Sequence, residues 1–258
     1  MMSDHLTYLI TGANRGLGKG FVQSFLAKPN TTVVAAVRDP ANETSQRLTE
    51  LPKAPGSKLV IVKLDSAIPT DAAEAVDTLK KEHGISALDV VIANAGIATD
   101  GATVRETTAA NALQHFNVNT VGPLILFQAT ADLLQASKTG NPKFVAMSTL
   151  IGSIGAIEKV AALKFPVNTS YGVSKAALNW LIRRLHFDEP WLTTFVFHPG
   201  LVETDMASEL ASSIGLTAKD IGAITIDTSI AGMVKTIGAA TREIGGTFQN
   251  YDGAINPW

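Results

Sequence analysis

Six short apolar runs constrain this chain more than any other feature: residues 6–11, 32–37, 59–64, 89–93, 143–147 and 193–198. Most are rich in Val and Ile and nearly continuous rather than alternating, the pattern of strands covered on both faces in a parallel sheet. Between them lie longer segments with helical spacing, among them 18–26, 70–82, 111–134 and 170–185. Strand and helix alternate from the start, which predicts βαβ units wound into a doubly wound α/β fold with helices on both faces of a parallel sheet. Right-handed crossovers bring the carboxyl ends of the strands to one edge, and ligands bind there. The residues that follow each strand therefore carry the functional information.

Composition narrows the function classes. At 258 residues the length suits one large α/β domain or two small ones. No internal repeat, low-complexity tract or linker divides the chain, so a single domain over 1–258 is expected. The net charge of -2 comes from 21 basic and 23 acidic residues with no basic run, so neither a nucleic acid nor a membrane surface is expected as partner. The absence of cysteine excludes disulfides, thiolate catalysis and zinc–thiolate sites. The histidines His5, His83, His115, His186 and His198 are scattered without ligand spacing, so no metal site is expected. The apolar runs are too short to span a bilayer, and residues 1–5 are polar with no signal-peptide pattern, which makes cytoplasmic residence the expectation.

Two segments look irregular and flank the ligand edge. Segment 150–169 carries Gly152, Gly155 and Pro166, and segment 199–226 is rich in Ser, Thr, Ala and Gly. Together with the tail 251–258 they are expected to form a pocket for an apolar or aromatic small molecule. Glu203 and Asp205 are read as solvated or capping, and Trp180 and Trp191 as packed in the core or an interface.

The turn Thr11-Gly12-Ala13-Asn14-Arg15-Gly16-Leu17-Gly18 follows the first strand and opens a helix. Its glycines let the backbone pass close to a ligand, and the helix N-terminus offers free N–H groups to phosphate. Further on, Tyr171 and Lys175 stand four apart on a predicted helix and share a face. A tyrosine hydroxyl titrates at about 10 in water, and a nearby ammonium is expected to lower that toward the range of acid–base chemistry.

These elements resemble the short-chain dehydrogenase/reductase superfamily. The glycine spacing is T-G-x-x-x-G-x-G. Asn94-Ala95-Gly96 closes the fourth run, Asn119 lies within Val118–Gly122, Tyr171-Gly172-Val173-Ser174-Lys175 matches Y-x-x-x-K, and Pro199-Gly200 follows the sixth run. They run in the family's order over about residues 6 to 205. Within the superfamily, segments 88–96, 118–128, 171–179 and 191–200 resemble fungal norsolorinic-acid-ketoreductase-like and sniffer-type carbonyl reductases. The resemblance implies one Rossmann-like domain. Its dinucleotide-binding part would be about 6–140, and its catalytic and substrate-binding part about 141–258.

It further implies hydride transfer between a nicotinamide and a ketone or aldehyde. Gly12, Asn14, Arg15, Gly16, Leu17 and Gly18 would hold the phosphates, Asp65 the adenine, and Asn94, Ala95 and Gly96 the adenosine ribose. Lys175 would hold the nicotinamide ribose, and Pro199, Gly200, Val202, Thr204 and Met206 the nicotinamide end. Asp65 also reads as a cap for the next helix. Arg38, directly after the second run, and Arg15 favour NADP(H), because a guanidinium suits the 2′-phosphate. Asp39 falls late for the acidic determinant of NAD, which leaves NAD-dependent alcohol oxidation as the alternative. A catalytically silent dinucleotide-binding regulator is the reading from another class. Tyr171 would transfer the proton, and Asn119 would order a water linking Lys175 to solvent, or else serve as a buried amide satisfying the backbone near Pro123. The carbonyl-orienting hydroxyl falls on Thr149 in the family's S-S-x-x-G register, with Ser148 as the alternative. Relatives in the superfamily are often dimers or tetramers, which leaves a homo-oligomer open.

Overall fold

The computed structural model describes residues 5–99, 101–162, 168–213 and 215–258. Its strands are β1 (Leu6–Thr11), β2 (Thr31–Val37), β3 (Lys58–Lys63), β4 (Val90–Ala93), β5 (Lys143–Met147), β6 (Thr193–His198) and β7 (Phe248–Asn250). They form one sheet in the order β3-β2-β1-β4-β5-β6-β7, and every neighbouring pair is parallel. The helices are α1 (Gly16–Leu26), α2 (Glu43–Gln46), α3 (Asp71–Lys81), α4 (Ala109–Phe116), α5 (Gly122–Gln135), α6 (Ile157–Ala161), α7 (Thr169–Asp188), α8 (Asp205–Ser213) and α9 (Ile226–Ala239). This is the expected Rossmann-like arrangement, and all six apolar runs are strands.

Alternation along the strands builds a core on each side of the sheet. Leu9, Val34, Val91, Ala146 and Val196 face one way and pack with Leu79 of α3, Leu126 of α5 and Leu178 of α7. Tyr8, Ile10, Val33, Val145 and Phe197 face the other way and pack with Phe21 and Phe25 of α1 and Ile230 and Met233 of α9. Two-sided burial is why β2 is buried at every position and reads as continuous rather than alternating. The strand order reverses between β1 and β4, so the crevice of an open α/β sheet opens at their carboxyl ends.

The structure departs from the sequence reading in five places. Segment 111–134 is not one helix: a π-helical turn, Asn117–Val121, separates α4 from α5. Such turns arise where one extra residue is accommodated, often beside a functional site. Segment 199–226 is not irregular throughout, because it contains α8, and segment 150–169 contains α6. Pro166 lies outside the described residues. Helix α9 was not among the helices read, although Ile226, Ile230, Met233 and Ile237 carry the spacing of a buried stripe. Strand β7 has three residues, two of them Gln and Asn, and so shows no pattern. Of the two tryptophans expected in the core or an interface, Trp191 packs against the core with its indole N–H donated to Glu189 Oε2 at 2.6 Å, and Trp180, 67% exposed on α7, is not a core residue. No described helix is long and apolar enough to cross a membrane.

Candidate active site

The glycine turn sits at the β1/β4 reversal. Gly12 and Gly16 have φ of 62° and 50°, where a Cβ is strained. Gly18 has an ordinary backbone, but a Cβ there would lie 2.1 Å from the Gly12 carbonyl oxygen. The turn thus folds onto its own helix and leaves no room for a side chain. Asn94, at the end of β4, donates through Nδ2 to the carbonyls of Thr11 (2.9 Å) and Gly12 (3.3 Å). Thr11 Oγ1 in return accepts the backbone N–H groups of Asn94 and Ala95, both at 3.0 Å. The Asn94 side chain therefore braces the turn, while Ala95 and Gly96 continue along the cleft.

Helix α1 begins without a cap. Asn42, Thr108, Asn168 and Thr225 each accept a backbone N–H at the start of α2, α4, α7 and α9. Arg15 does not do so for α1, whose first turn also lacks an acid. Its opening N–H groups and positive dipole end are left for an anion. Leu17 is half-buried against the core, and Asn14 Nδ2 donates to Thr44 Oγ1 at 2.7 Å, tying the turn to α2.

Arg38 follows β2 and is exposed at the carboxyl edge. Asp39 Oδ1 accepts the Ala41 N–H at 2.8 Å, so this carboxylate shapes its own turn. Asp65 likewise accepts the Ala67 N–H at 2.9 Å after β3. Arg15 donates to Asp205 Oδ2 at 3.1 Å, an exposed pair joining the glycine turn to the first residue of α8. Asp205, read from sequence as solvated or capping, thus has an ion-pair partner across the cleft.

The far wall is a closed excursion from β6. Gly200 has φ of 85°, and a Cβ there would meet Ile224 Cδ1 at 3.0 Å and the Tyr251 ring at 3.2 Å. Leu201 O accepts the Ile224 N–H at 2.8 Å, Glu203 N–H returns to Ile224 O at 2.9 Å, and Val202 bridges Ile224. These bonds pinch the neck of a flap that carries α8. Val202 is buried in the neck, Thr204 lies 3.6 Å from where a Gly16 Cβ would be, and Met206 is exposed on α8.

Tyr171 and Lys175 lie on α7, whose N-cap Asn168 Oδ1 accepts the Tyr171 N–H at 3.0 Å. Lys175 is buried. Its Nζ donates to Met147 O at the end of β5 (2.8 Å) and stands 5.8 Å from the Tyr171 ring centre. A Cβ at Gly96 would lie 3.4 Å from this Nζ and 3.1 Å from Asn119 Oδ1, so the ends of β4, β5 and α7 converge. Burial, not the ammonium, governs the titration. It pushes Tyr171 up to about 12 and Lys175 down to about 7. The expected lowering of Tyr171 is therefore absent, because desolvation disfavours both charged forms and the ammonium faces the ring and a carbonyl.

Asn119 is fully buried in the π-helical turn. Its Nδ2 donates to Ile97 O (2.9 Å) and Ser174 Oγ (3.0 Å), and its Oδ1 accepts the Ile97 N–H (2.9 Å). Its side chain is thus a buried and satisfied amide whose partners are Ile97 and Ser174 of α7, not the backbone near Pro123. The two candidate hydroxyls behave differently. Ser148 Oγ bonds to Asn179 Oδ1 at 2.5 Å, whereas Thr149 Oγ1 only accepts the Ile151 N–H at 3.3 Å. His198, at the end of β6, is held by burial down to about 4, and its Nδ1 has no partner. The described residues contain no group of three or more His, Asp or Glu placed to hold a metal ion.

Residues 7–215 match the short chain dehydrogenase family. A norsolorinic acid ketoreductase of Dothistroma septosporum is 41% identical over 258 residues, 99% of this chain and 94% of that protein. The NADPH-bound carbonyl reductase from chicken fatty liver superposes with a TM-score of 0.85 at 32% identity, covering 98% of this chain and 100% of that one. The carbonyl reductase Sniffer of Drosophila melanogaster superposes with a TM-score of 0.79 at 27% identity, with the same coverage of 98% and 100%.

Proposed function

The chain belongs to the short chain dehydrogenase family, and from that premise we propose that it is an NADPH-dependent reductase of ketones or aldehydes with Tyr171 as proton donor. The observation that carries this reading is the convergence at one sheet edge of Tyr171, the buried Lys175 Nζ and the uncapped α1 turn. The carbonyl substrates and the NADPH named for its relatives support it.

The residues present fit the cofactor. Turn 12–18 admits no side chain at its closest approach, which suits a backbone cradle for a diphosphate. Arg38 is exposed where a 2′-phosphate would lie, and Asp39 is already engaged in its own turn. Arg15 would join Arg38 by exchanging Asp205 for the phosphate. Ala95, Gly96, Asp65 and Lys175 would line the adenosine and ribose positions, and Val202, Thr204 and Met206 the nicotinamide end. When bound, the reduced nicotinamide supplies the hydride.

The chain itself handles the proton. With a pKa pushed up to about 12, Tyr171 is fully protonated near neutrality and is a donor rather than a base. Its proton goes to the carbonyl oxygen as that oxygen gains charge. The phenolate left behind is stabilised by the Lys175 ammonium, which lies along the same helix face. Thr149 O–H donates to the same oxygen, because its lone pair, not its proton, is used by Ile151. Asn119 holds α7 against the 94–97 strand end. Residues 150–162 after β5, flap residues 201–213 and 215–224, and the tail would enclose an apolar or aromatic ketone.

Turnover of a ketone panel with NADPH and NADH, in wild type and Arg38→Ala, tests the reading. NADPH is the better reductant, and Arg38→Ala lowers its kcat/KM by about tenfold or more, the worth of a charge-assisted contact, while sparing NADH. A wild-type preference for NADH overturns the cofactor assignment.

A further inference from the structure

The hydroxyl that orients the carbonyl sits between two residues held by a single side chain. Asn179 stands two turns beyond Tyr171 and one beyond Lys175 on α7, and it is buried. Its Nδ2 donates to Gly152 O at 3.1 Å, and its Oδ1 meets Ser148 Oγ at 2.5 Å. The orientation of the amide follows from chemistry. A backbone carbonyl can only accept, so the nitrogen must face Gly152 and the oxygen must face Ser148. Ser148 therefore donates its only proton to Asn179 and has none left for a substrate.

From this geometry we infer that Asn179 is a positioning residue for the reaction, clamping the chain on both sides of Thr149. Ser148 precedes Thr149 and Gly152 ends the 3₁₀ turn, Leu150–Gly152, that Thr149 starts. Fixing both ends sets the rotation of that turn, and with it the direction of the Thr149 hydroxyl relative to Tyr171. The fit between turn and helix is tight. A Cβ at Gly152 would lie 2.7 Å from Lys175 Cβ, and one at Gly172 would lie 3.3 Å from Ile151 Cγ2. The 3₁₀ turn therefore rests on α7 beside Tyr171 and Lys175, and Asn179 locks it there. The outer end of the same segment is tied down independently. Ser153 Oγ donates to Pro257 O at 2.8 Å, and the Gly155 N–H donates to Trp258 O. A misplacement of about 1 Å at a reacting group is enough to cost on the order of a hundredfold in rate, so the clamp has catalytic leverage without touching substrate.

This inference rests on Thr149 being the orienting hydroxyl, and the experiment separates the two. Asn179→Leu and Thr149→Ala are compared for kcat, substrate KM, NADPH dissociation constant and the deuterium isotope effect on hydride transfer. Asn179→Leu lowers kcat tenfold or more. It leaves the NADPH dissociation constant within twofold of wild type and raises the isotope effect toward that of Thr149→Ala. An unchanged kcat in Asn179→Leu, while Thr149→Ala is impaired, overturns the clamp alone. An unimpaired Thr149→Ala overturns the assignment of the hydroxyl. A loss of kcat matched by an equal loss of NADPH affinity makes Asn179 a general structural residue and also overturns the clamp. If Asn179→Leu does not fold, Asn179→Asp is judged by the same quantities, because it keeps the acceptor for Ser148 and loses the donor to Gly152.

Discussion

The turn after β1 and the segment after β5 face the same cleft, but they are built by different means. The first is shaped by backbone: positive φ at Gly12 and Gly16, and a helix so close that Gly18 admits no Cβ. The second is shaped by side chains: Asn179 on Ser148 and Gly152, and Ser153 on the tail. A backbone device restricts which residue types can occupy it, so it leaves a mark in the sequence. A side-chain clamp depends on partners 31 and 104 positions away, and no local pattern announces it.

Gly18→Ala is the most disruptive substitution. A helical Gly-to-Ala change ordinarily gains about 1 kcal/mol, but here a Cβ would meet the Gly12 carbonyl oxygen at 2.1 Å. Urea unfolding should show a loss of about 3 kcal/mol, the upper range for overpacking. A gain in stability would mean that the turn is not backbone-limited.

In the β5 segment the two neighbouring hydroxyls should separate. Thr149→Ala lowers kcat by about a hundredfold, the usual cost of removing a donor to a developing oxyanion. Ser148→Ala removes one arm of the clamp and costs only a few-fold, on the order of 1 kcal/mol for a single neutral hydrogen bond. Steady-state kinetics of both variants decide it, and the reverse ranking would move the chemistry to Ser148.

The smallest signals are in pH dependence. Burial lowers Lys175 from its ordinary value of 10.5 to about 7 in the fold. The unfolded chain therefore holds more protons between these values, and stability of the cofactor-free protein rises as pH increases through that window. The slope approaches about 1.4 kcal/mol per pH unit and is absent in Lys175→Met. Reductive kcat/KM runs the opposite way and falls above pH 7, as the ammonium that stabilises the phenolate is lost. Tyr171, at about 12, adds no second break below pH 10. Coincident pH profiles for wild type and Lys175→Met would contradict the buried-lysine account.

Much of the fold was legible because two-sided burial writes continuous apolar runs. All six were strands, and their ends moved by no more than one residue. The short β7 was not legible, since Gln249 and Asn250 gain their place from β6 rather than from their own pattern. Helix α9 carries a stripe of Ile226, Ile230, Met233 and Ile237, but the Ser/Thr-rich segment before it obscured that signal. At the site, residue types and order pointed to Tyr171, Lys175 and the glycine turn, and the fold brings all three to one edge. Charge states were not readable from spacing. An i,i+4 Tyr/Lys pair suggests a lowered phenol, whereas burial raises it. Nor could spacing show that Arg15 would meet Asp205, 190 residues away, or that Ser148 would be taken by Asn179.

In the proposed reaction Tyr171 delivers the proton while the glycine turn and Lys175 hold the cofactor. Single-turnover reduction of a ketone by preloaded NADPH, in wild type and Tyr171→Phe, tests it most directly. Tyr171→Phe should bind NADPH within a few-fold of wild type and lose hydride transfer by about a thousandfold, within the range for a general acid. Hydride transfer at the wild-type rate in Tyr171→Phe would contradict it.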